Sequence, residues 1–215
     1  MLTLYSYFRS SAAFRARIAL NLKGLEHELH YVHLSRGGGE QFQPAYRRIN
    51  PQALVPALVD DGKVITQSLA LIEYLDEAYP KPPLLPSTAI ERARVRALAL
   101  LIACDIHPLN NLRVLNFLTR ELRLSEDDKL RWYKHWIATG FAALEESLAG
   151  NAATGTYCHG EHPTLADICL VPQLFNARRY NCDLAPYPTV VRIGEACLKL
   201  DAFIKAMPEK QADRE

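Results

Sequence analysis

Two adjacent serines, Ser10 and Ser11, stand where a short apolar strand gives way to an amphipathic helix. A hydroxyl that donates a hydrogen bond and the positive end of a helix both stabilise an anion. Both also favour a thiolate over a thiol, whose unperturbed pKa is about 8.5. A serine at this place would activate a bound thiol without acting as the nucleophile. The alternative is a plain helix N-cap, a common role for serine.

A second segment places Pro56 after Val55 and directly before an apolar run. Such a proline can adopt a cis peptide bond in a turn. That turn exposes the N–H and C=O of the preceding residue, and these groups can pair with an extended peptide as with an added strand. The alternative is a proline that simply begins a strand.

A third segment, Gln67-Ser68, precedes another amphipathic run. Ser68 is expected to cap a helix whose N-terminus can hold a carboxylate through backbone N–H groups and the hydroxyl, while Gln67 adds a neutral amide. Each of the three segments has an explanation without a ligand. Together, in this order, they provide for a thiolate, a peptide backbone and a carboxylate.

Residues 1–80 alternate between strand and helix patterns in the order β-α-β-α-β-β-α. Apolar residues at helical spacing follow the serines, and Gly24 is placed to end that helix. The Asp61-Gly62 pair between two apolar runs is a hairpin signal. The predicted strands are Leu2–Tyr7, His30–Leu34, Ala57–Val59 and Val64–Thr66, and the predicted helices are Phe14–Leu22, Glu40–Ile49 and one that begins at Ser68.

Four prolines lie between Tyr79 and Pro86, a density that neither a helix nor an interior strand tolerates. We therefore predict a first domain at residues 1–80, a linker at 81–87 and an all-helical domain at 88–215, so that the fold class is α/β plus all-α. The predicted helices are Ile90–Leu118 with a kink at Pro108, Leu130–Leu148, one begun by a capping box at Thr164–Asp167 with Pro172 inside it, and Val190–Ala206 opened by Pro188. The tail from Pro208 is expected to fray.

The composition of the 215 residues is that of a soluble globular protein, with 49% hydrophobic and 23% charged residues. A net charge of +1 provides no basic field for nucleic acid or anionic lipid. No apolar run approaches the roughly 18 residues that a membrane span needs, and the N-terminus lacks signal-peptide features. We expect a cytoplasmic protein. Five scattered cysteines without metal-ligand spacing predict no metal site.

The order and spacing of these segments resemble the zeta-class glutathione transferases, the family that includes maleylacetoacetate isomerase. The resemblance covers nearly the whole chain, and the double serine is fairly specific for the zeta class. The matching segments are Leu4–Ser11, Arg15, Arg17–Leu20, Asn50-Pro51, Val55-Pro56, Gln67–Ala70, Ile72–Leu75, Leu84–Pro86, Pro108-Leu109, Asn111-Leu112, Gly140-Phe141, Ala166-Asp167, Leu170–Gln173 and Pro186–Pro188.

The resemblance implies a thioredoxin-like first domain that binds glutathione, followed by a helical bundle, in a homodimer. Ser10 and Ser11 would face the sulfur, with Ser10 the first choice for stabilising the thiolate, and Arg15 lies in the same motif. Arg9 and Arg179 would bind the carboxylates of a small substrate. The residues that match glutathione-binding positions are Gln41, Val55, Pro56, Gln67, Ser68, His107 and Asn111.

The chain departs from the family pattern at two positions. Ala12 stands where many zeta-class members have Cys directly after the two serines. Isomerisation should survive this change because glutathione supplies the sulfur, whereas chemistry that uses a protein thiol there is put in doubt. His107 stands where some members have Gln, and it can equally be an ordinary helix histidine beside a proline.

The implied reaction is a glutathione-dependent cis–trans isomerisation. Addition of a thiolate turns a conjugated double bond into a single bond that can rotate, and elimination restores the trans bond. The substrate would be 4-maleylacetoacetate, giving 4-fumarylacetoacetate in tyrosine and phenylalanine breakdown, or maleylpyruvate in bacterial aromatic catabolism. The sequence does not separate the two.

Two other classes of function compete with the isomerase. A general glutathione transferase or dehalogenase would prefer an apolar second pocket with few cations, so Arg9 and Arg179 argue against it. A binding module that only kept the fold predicts a damaged thiol site, and Ser10, Val55 and Ser68 are all present.

Overall fold

The computed structural model describes residues 1–214. They form two compact units. The first unit contains residues 1–83 together with the C-terminal segment from Lys199 onward, and the second is Leu84–Leu198. The division after Pro83 falls inside the predicted proline-rich linker at 81–87.

A four-stranded mixed sheet forms the centre of the first unit. Its strands are β1 (Leu2–Ser6), β2 (His27–Tyr31), β3 (Ala57–Asp60) and β4 (Lys63–Thr66), in the spatial order β2-β1-β3-β4. β1 pairs parallel with β2 and antiparallel with β3, which pairs antiparallel with β4. The parallel pair needs a crossover, and helix α1 (Ser11–Leu22) supplies it. With α2 (Pro44–Arg47) and α3 (Ser68–Ala78), the predicted element order is confirmed.

Two predicted elements of this unit are displaced. β2 spans His27–Tyr31, where it pairs with Leu2–Ser6 of β1, so the bounds of the predicted strand His30–Leu34 are wrong and only His30 and Tyr31 are shared. The predicted helix Glu40–Ile49 is divided into a short 3-10 turn at Glu40–Phe42 and helix α2. Gln43 is extended between them, the conformation that a following proline favours.

The hairpin between β3 and β4 is confirmed. Asp61 and Gly62 form a two-residue turn with φ of 45° and 74°, respectively. A tight turn between twisted antiparallel strands requires positive φ at both central residues, and glycine tolerates that conformation at no steric cost.

Within the described residues, all regular secondary structure of the second unit is helical. They are α4 (Ala89–Leu100), a π-helical segment at Leu101–Ile106, α5 (Leu112–Arg120), α6 (Glu126–Leu148), α7 (Leu165–Arg179) and α8 (Pro188–Cys197). The predicted helix Ile90–Leu118 is broken and not merely kinked. Pro108 has no N–H to continue it, and Asn111 caps α5 by accepting the N–H of Arg113 at 3.1 Å.

The capping box of α7 is confirmed. The Asp167 carboxylate is fully buried, and its Oδ2 accepts the N–H of Thr164 at 2.7 Å and the hydroxyl of Thr164 at 2.8 Å. Its Oδ1 accepts the N–H of Cys158 at 2.8 Å. Burial raises the pKa of Asp167, and these hydrogen bonds oppose that rise. Pro172 lies inside α7 as expected.

The C-terminal end differs from the prediction. In place of one helix at Val190–Ala206, the chain forms α8 and then α9 (Asp201–Ala206), separated by an extended Leu200 with φ −93° and ψ 130°. α9 and the tail belong to the first unit, so the helical unit ends at Leu198 and not at residue 215. The tail that was expected to fray contains a short 3-10 turn and the buried Gln211.

Two further findings concern the described residues 1–214 as a whole. Their helices do not combine the length and hydropathy that a membrane crossing requires. Groups of three or more His, Cys, Asp or Glu side chains placed to hold a metal ion are likewise absent from this part of the chain. The five cysteines are free thiols, and Cys158, Cys169 and Cys197 are buried.

A buried lysine joins the ends of α1 and α3. The Nζ atom of Lys23 donates to Asp76 Oδ1 at 2.6 Å, to the carbonyl of Tyr79 at 2.8 Å and to the carbonyl of Pro82 at 2.6 Å. All three ammonium donors are therefore used, and the Lys23 side chain is fully buried. The cluster holds the chain at the point where it leaves the first unit.

We expect Lys23→Met to lower the free energy of unfolding by about 3 kcal/mol, because Asp76 and the carbonyls of Tyr79 and Pro82 would all lose the ammonium group that donates to them. Urea unfolding of the full chain measures this change. Lys63→Met, at an exposed position of β4, is the matched control and should change the free energy by less than about 0.5 kcal/mol. Equal midpoints for the two variants would contradict this account of the cluster.

Candidate functional site

Ser10 is the N-cap of α1. Its Oγ accepts the N–H of Ala13 at 3.2 Å, and its backbone is extended with φ −69° and ψ 116°. A hydroxyl has one donor and two acceptor positions, so capping leaves its O–H available for an anion. The N-cap role and the predicted anion-binding role are thus compatible. Ser11 is the first residue of the helix and is buried, whereas Ser10 is half-buried.

Arg9 is held by the two aromatic residues before it. Its Nη2 and Nε lie 2.9 and 3.3 Å from the Tyr7 hydroxyl, and its guanidinium carbon lies 4.9 Å from the centre of the Phe8 ring. These contacts orient the guanidinium while leaving Arg9 half-buried. Its position directly before Ser10 therefore brings a cation to the same end of α1.

The Val55–Pro56 peptide bond is cis. The carbonyl of Leu54 accepts the Tyr46 hydroxyl at 2.6 Å and the Asn50 side-chain amide at 2.7 Å. Burial raises the pKa of Tyr46, so its phenol keeps the proton it donates. Within residues 1–214, the N–H and C=O of Val55 have no hydrogen-bond partner. They are available to an extended peptide, as the sequence predicts.

The start of α3 differs by one residue from the prediction. Gln67 and not Ser68 is the N-cap, and Ser68 is the first helical residue. Gln67 has φ 68° and ψ 117°, a left-handed conformation that a residue with a side chain adopts only when its surroundings impose it. Its Nε2 donates to Gln52 Oε1 at 2.9 Å. Ser68 is 7% exposed.

Arg15 joins α1 to the start of α3. Its side chain is almost fully buried, and its Nη1 donates to Ser68 Oγ at 3.4 Å. These contacts favour a role in holding Ser68 in place. A direct catalytic role for Arg15 stays a prediction.

An apolar cluster connects the Ser10 loop to the Val55 turn. Leu34 packs against it, and the Leu34 carbonyl accepts the Gln41 side-chain amide at 3.2 Å. The cluster thus contains Val55 and residues on either side of Ser10, and Gln41 is linked to it through Leu34. The buried members of the cluster are Tyr7, Phe8, Ala13, Val32, Tyr46 and Val55.

Gln41 is buried on a loop that requires a glycine. Gly39 has φ 107°, and a Cβ atom there would lie 2.7 Å from both polar atoms of the Gln41 amide. The Oε1 atom of Gln41 is buried and has no hydrogen-bond donor among the described residues. A polar group in that state favours a ligand that donates to it.

The remaining predicted residues lie in the second unit. His107 follows the π-helical segment and is half-buried, and its N–H donates to the carbonyl of Ile102 at 2.9 Å. Asn111 caps α5. The exposed Arg179 lies in the last turn of α7 with its guanidinium carbon 5.2 Å from the centre of the Tyr180 ring.

The two arginines at the end of α7 differ in their partners. Arg178 pairs with Glu195, whereas Arg179 has no carboxylate partner within residues 1–214. Tyr180 in turn stacks on the buried Tyr133, with ring centres 3.8 Å apart. Arg179 is thus the arginine of the two that has no carboxylate partner among the described residues, and its guanidinium lies beside the stacked Tyr180 ring.

The chain matches two family models, the N-terminal domain of glutathione S-transferases at residues 4–83 and their C-terminal domain at residues 131–192. It is 52% identical over 212 residues to a probable maleylacetoacetate isomerase of Vibrio cholerae, covering 99% of this chain and 98% of the relative. The chain belongs to the zeta-class glutathione transferase family.

Solved structures agree with this assignment. A maleylpyruvate isomerase described as a bacterial zeta-class glutathione S-transferase superposes with a TM-score of 0.95 at 47% identity, covering 99% of this chain and 100% of that one. A maleylacetoacetate isomerase of Anaeromyxobacter dehalogenans superposes with a TM-score of 0.87 at 43% identity, covering 100% and 98%. That structure contains dicarboxyethyl glutathione and citrate in its active site.

In this zeta-class transferase, Ala12 is half-buried as the second residue of α1. The anion-binding end of α1 therefore consists of Ser10, Ser11 and backbone N–H groups, with no thiol in that turn.

Sequence reasoning missed the residues that support the zeta-class site. Tyr46 and Asn50 hold the Leu54 carbonyl, and Gln52 holds Gln67. Arg17 donates to the loop before Ser10. Arg17 was detectable in principle, because a charged residue in the otherwise apolar run Ala16–Leu20 must find buried acceptors.

The family motif Gly140-Phe141 has a packing reason. A Cβ atom at Gly140 would lie 2.3 Å from the Cδ1 and Cγ1 atoms of Ile106. Glycine therefore lets α6 approach the π-helical segment that leads into His107. Gly140 thus packs against the residue directly before His107.

We expect Gly140→Ala to lower the free energy of unfolding by about 1–3 kcal/mol through overpacking, although alanine normally favours a helix interior. In an Ile106→Ala background, which removes both obstructing atoms, the same change should stabilise the protein. Thermal unfolding of the wild type and the three variants measures this coupling. Destabilisation of equal size in both backgrounds would show that Ile106 is not the obstacle.

Proposed function

We propose that the protein is a glutathione-dependent cis–trans isomerase that converts 4-maleylacetoacetate to 4-fumarylacetoacetate in tyrosine and phenylalanine catabolism. The observation that carries the proposal is the grouping within the first unit. There the apolar cluster that contains Val55 also contains Phe8 and Ala13, which flank Ser10, and the start of α3 is held by the Arg15–Ser68 and Gln67–Gln52 hydrogen bonds. The 52% identity to a relative named for this activity supports the choice of reaction.

The groups present fit the parts of glutathione. The first-turn N–H groups of α3 and the Ser68 hydroxyl would bind the γ-glutamyl carboxylate. The N–H and C=O of Val55 would pair with the cysteinyl backbone, as in an added strand. The buried Oε1 of Gln41, which has no donor among the described residues, would accept an N–H of the glycyl end. His107 and Asn111 are proposed as further contacts.

When bound, glutathione would supply a thiolate for reversible addition to the conjugated double bond of the substrate, which would allow rotation about that bond before elimination. Ser10 donates its hydroxyl hydrogen bond to the sulfur and so lowers the free energy of the thiolate. Arg9 and Arg179 bind the substrate carboxylates and oppose the negative charge that develops on the conjugated carbonyl. The protein contributes orientation and charge, not a nucleophile of its own.

The ligand of the Anaeromyxobacter structure supports this chemistry. A dicarboxyethyl group on glutathione is the kind of product expected when a thiol adds to the double bond of an unsaturated dicarboxylate. The proposed substrate is an unsaturated dicarboxylate of the same class.

Maleylpyruvate is the second candidate substrate. The observation that favours it is the 47% identity to a maleylpyruvate isomerase, against 42% to a maleylacetoacetate isomerase whose structure superposes with the same TM-score of 0.95. Both substrates carry a cis double bond conjugated to carbonyls and two carboxylates, so the same residues would serve either.

The deciding experiment follows the loss of the enedione absorbance of each substrate with purified protein, with and without glutathione. Turnover that requires glutathione supports the isomerase. The compound with the larger kcat/KM, 4-maleylacetoacetate or maleylpyruvate, is then the preferred substrate. Glutathione binding without turnover of either substrate would replace the proposal by a general transferase or a binding module.

We also propose a homodimer, as the family resemblance implies, and the cytoplasmic location expected from the sequence. Light scattering of the purified chain tests the assembly, and a monomer at micromolar concentration would contradict it.

We expect Ser10→Ala to lower kcat/KM for the isomerisation by about 10²-fold, as for loss of one donor to a reacting anion. The apparent pKa of the bound glutathione thiol should rise, and the ultraviolet thiolate absorbance measures it. Ser11→Ala is the matched control and should have a smaller effect, since Ser11 is buried. Full activity of Ser10→Ala with an unchanged thiolate absorbance would show that Ser10 does not stabilise the thiolate.

We expect Arg179→Ala to raise KM for the dicarboxylate by about 10-fold or more, the loss of a charge-assisted hydrogen bond. KM for an uncharged electrophile such as chlorodinitrobenzene should change little. Arg178→Ala, whose guanidinium pairs with Glu195, is the control. Equal effects of Arg179→Ala on both substrates would remove Arg179 from the substrate site.

A further inference from the structure

Arg17 is a buried cation that connects three segments of the first unit. Its Nη1 donates to Ser6 Oγ at 2.9 Å and to the carbonyl of Tyr7 at 3.3 Å, and its Nη2 donates to the carbonyl of Phe8 at 3.0 Å. Its Nε donates to the carbonyl of Ala206 at 3.0 Å. The guanidinium therefore joins the end of β1, the loop that follows it and the C-terminal end of α9.

Asp213, in the C-terminal tail, binds the same loop through the main-chain N–H of Phe8. Its Oδ2 accepts the N–H of Phe8 at 2.9 Å across a separation of 205 residues. Its Oδ1 is buried without a hydrogen-bond donor among the described residues. Both main-chain groups of Phe8 are thus bound, the C=O by Arg17 and the N–H by Asp213.

The Arg17 guanidinium and the Asp213 carboxylate interact favourably as opposite charges. Burial lowers the pKa of Arg17 to about 10, and the Asp213 carboxylate opposes that shift. A buried charge is costly without a counter-charge. Asp213 therefore provides both an acceptor for the loop and an opposite charge for the guanidinium that binds the loop.

The tail that carries Asp213 has its own attachment to the first unit. Asn21 of α1 donates to the carbonyl of Ala202 at 2.9 Å. The buried side-chain amide of Gln211 donates to the carbonyls of Lys205 at 2.9 Å and Met207 at 3.0 Å. These contacts turn the chain after α9, so Asp213 reaches Phe8 by an ordered path.

The loop held in this way leads directly into the proposed thiol site. The N–H of Ser10 donates to the carbonyl of Tyr7 at 3.0 Å, the same carbonyl that accepts from Arg17. Arg9 lies between them and bonds the Tyr7 hydroxyl. A displacement of Phe8 would therefore move both Arg9 and the Ser10 hydroxyl, and displacements of about 1 Å can cost about 10²-fold in rate.

We propose that the C-terminal tail positions the Tyr7–Ser10 loop, with Asp213 as the positioning residue through its hydrogen bond from the Phe8 N–H, while Arg17 holds the Phe8 carbonyl. Its effect on thiolate formation rests on the proposed function, whereas its effect on the order of the loop does not. Asp213 touches neither glutathione nor substrate in this account.

The test compares Asp213→Ala, Asp213→Asn and Asp201→Ala in the full chain. Asp201 lies in the same C-terminal segment, is 84% exposed and pairs only with Lys205 among the described residues, so its variant should behave as wild type. Asp213→Ala should lower kcat/KM by about 10-fold and raise the apparent pKa of the bound glutathione thiol. Asp213→Asn keeps an oxygen that can accept the Phe8 N–H and should restore most of both values.

Amide hydrogen exchange of the peptide that contains Tyr7–Arg9 provides a readout independent of activity. Exchange should be at least several-fold faster in Asp213→Ala than in wild type, and near wild type in the Asn and Asp201 variants. Unchanged exchange and an unchanged thiol pKa in Asp213→Ala would overturn the proposal, even if its Tm fell. If wild-type protein forms no thiolate, the proposed function fails, and the exchange rates alone decide whether Asp213 orders the loop.

Discussion

The buried guanidinium of Arg17 is the constraint around which the first unit is organised. Its four hydrogen bonds reach acceptors in β1, the loop that follows it and α9, so the cation is satisfied when these segments lie together. The Arg17 charge therefore favours the return of the C-terminal segment to the end of the strand. The N-terminus of α1, with Ser10 as its cap, begins at the end of the loop that is held in this way.

Helix α1 carries a second buried arginine on a different side. Arg15 and Arg17 are two residues apart, and residues at that spacing do not share a helix face. Arg17 accordingly bonds the strand end and the tail, while Arg15 bonds Ser68 at the start of α3. One helix thus sets the relative position of two helix N-termini, which are the two anion-binding places that the proposed function requires.

The features that could be predicted from the sequence are those encoded by neighbouring residues. The Asp61-Gly62 turn, the Thr164–Asp167 capping box and the cap at Ser10 each depend on a few adjacent positions, and each was found. The register of β2 and the destination of the tail depend on partners far along the chain. The Arg17–Ala206 bond spans 189 residues, and neither end has a local signal for the other.

The proposed reaction explains why distant residues should matter to the site. When the nucleophile is borrowed from glutathione, the protein can lower the barrier only by placing donors and cations where charge develops. Ala12 fits this division, since a protein thiol at that position is not required for addition and elimination. The proposed catalysis then depends on fixed positions of the Ser10 hydroxyl and the Arg9 guanidinium. Both residues lie within two positions of Phe8, whose N–H is bound by Asp213 and whose C=O is bound by Arg17.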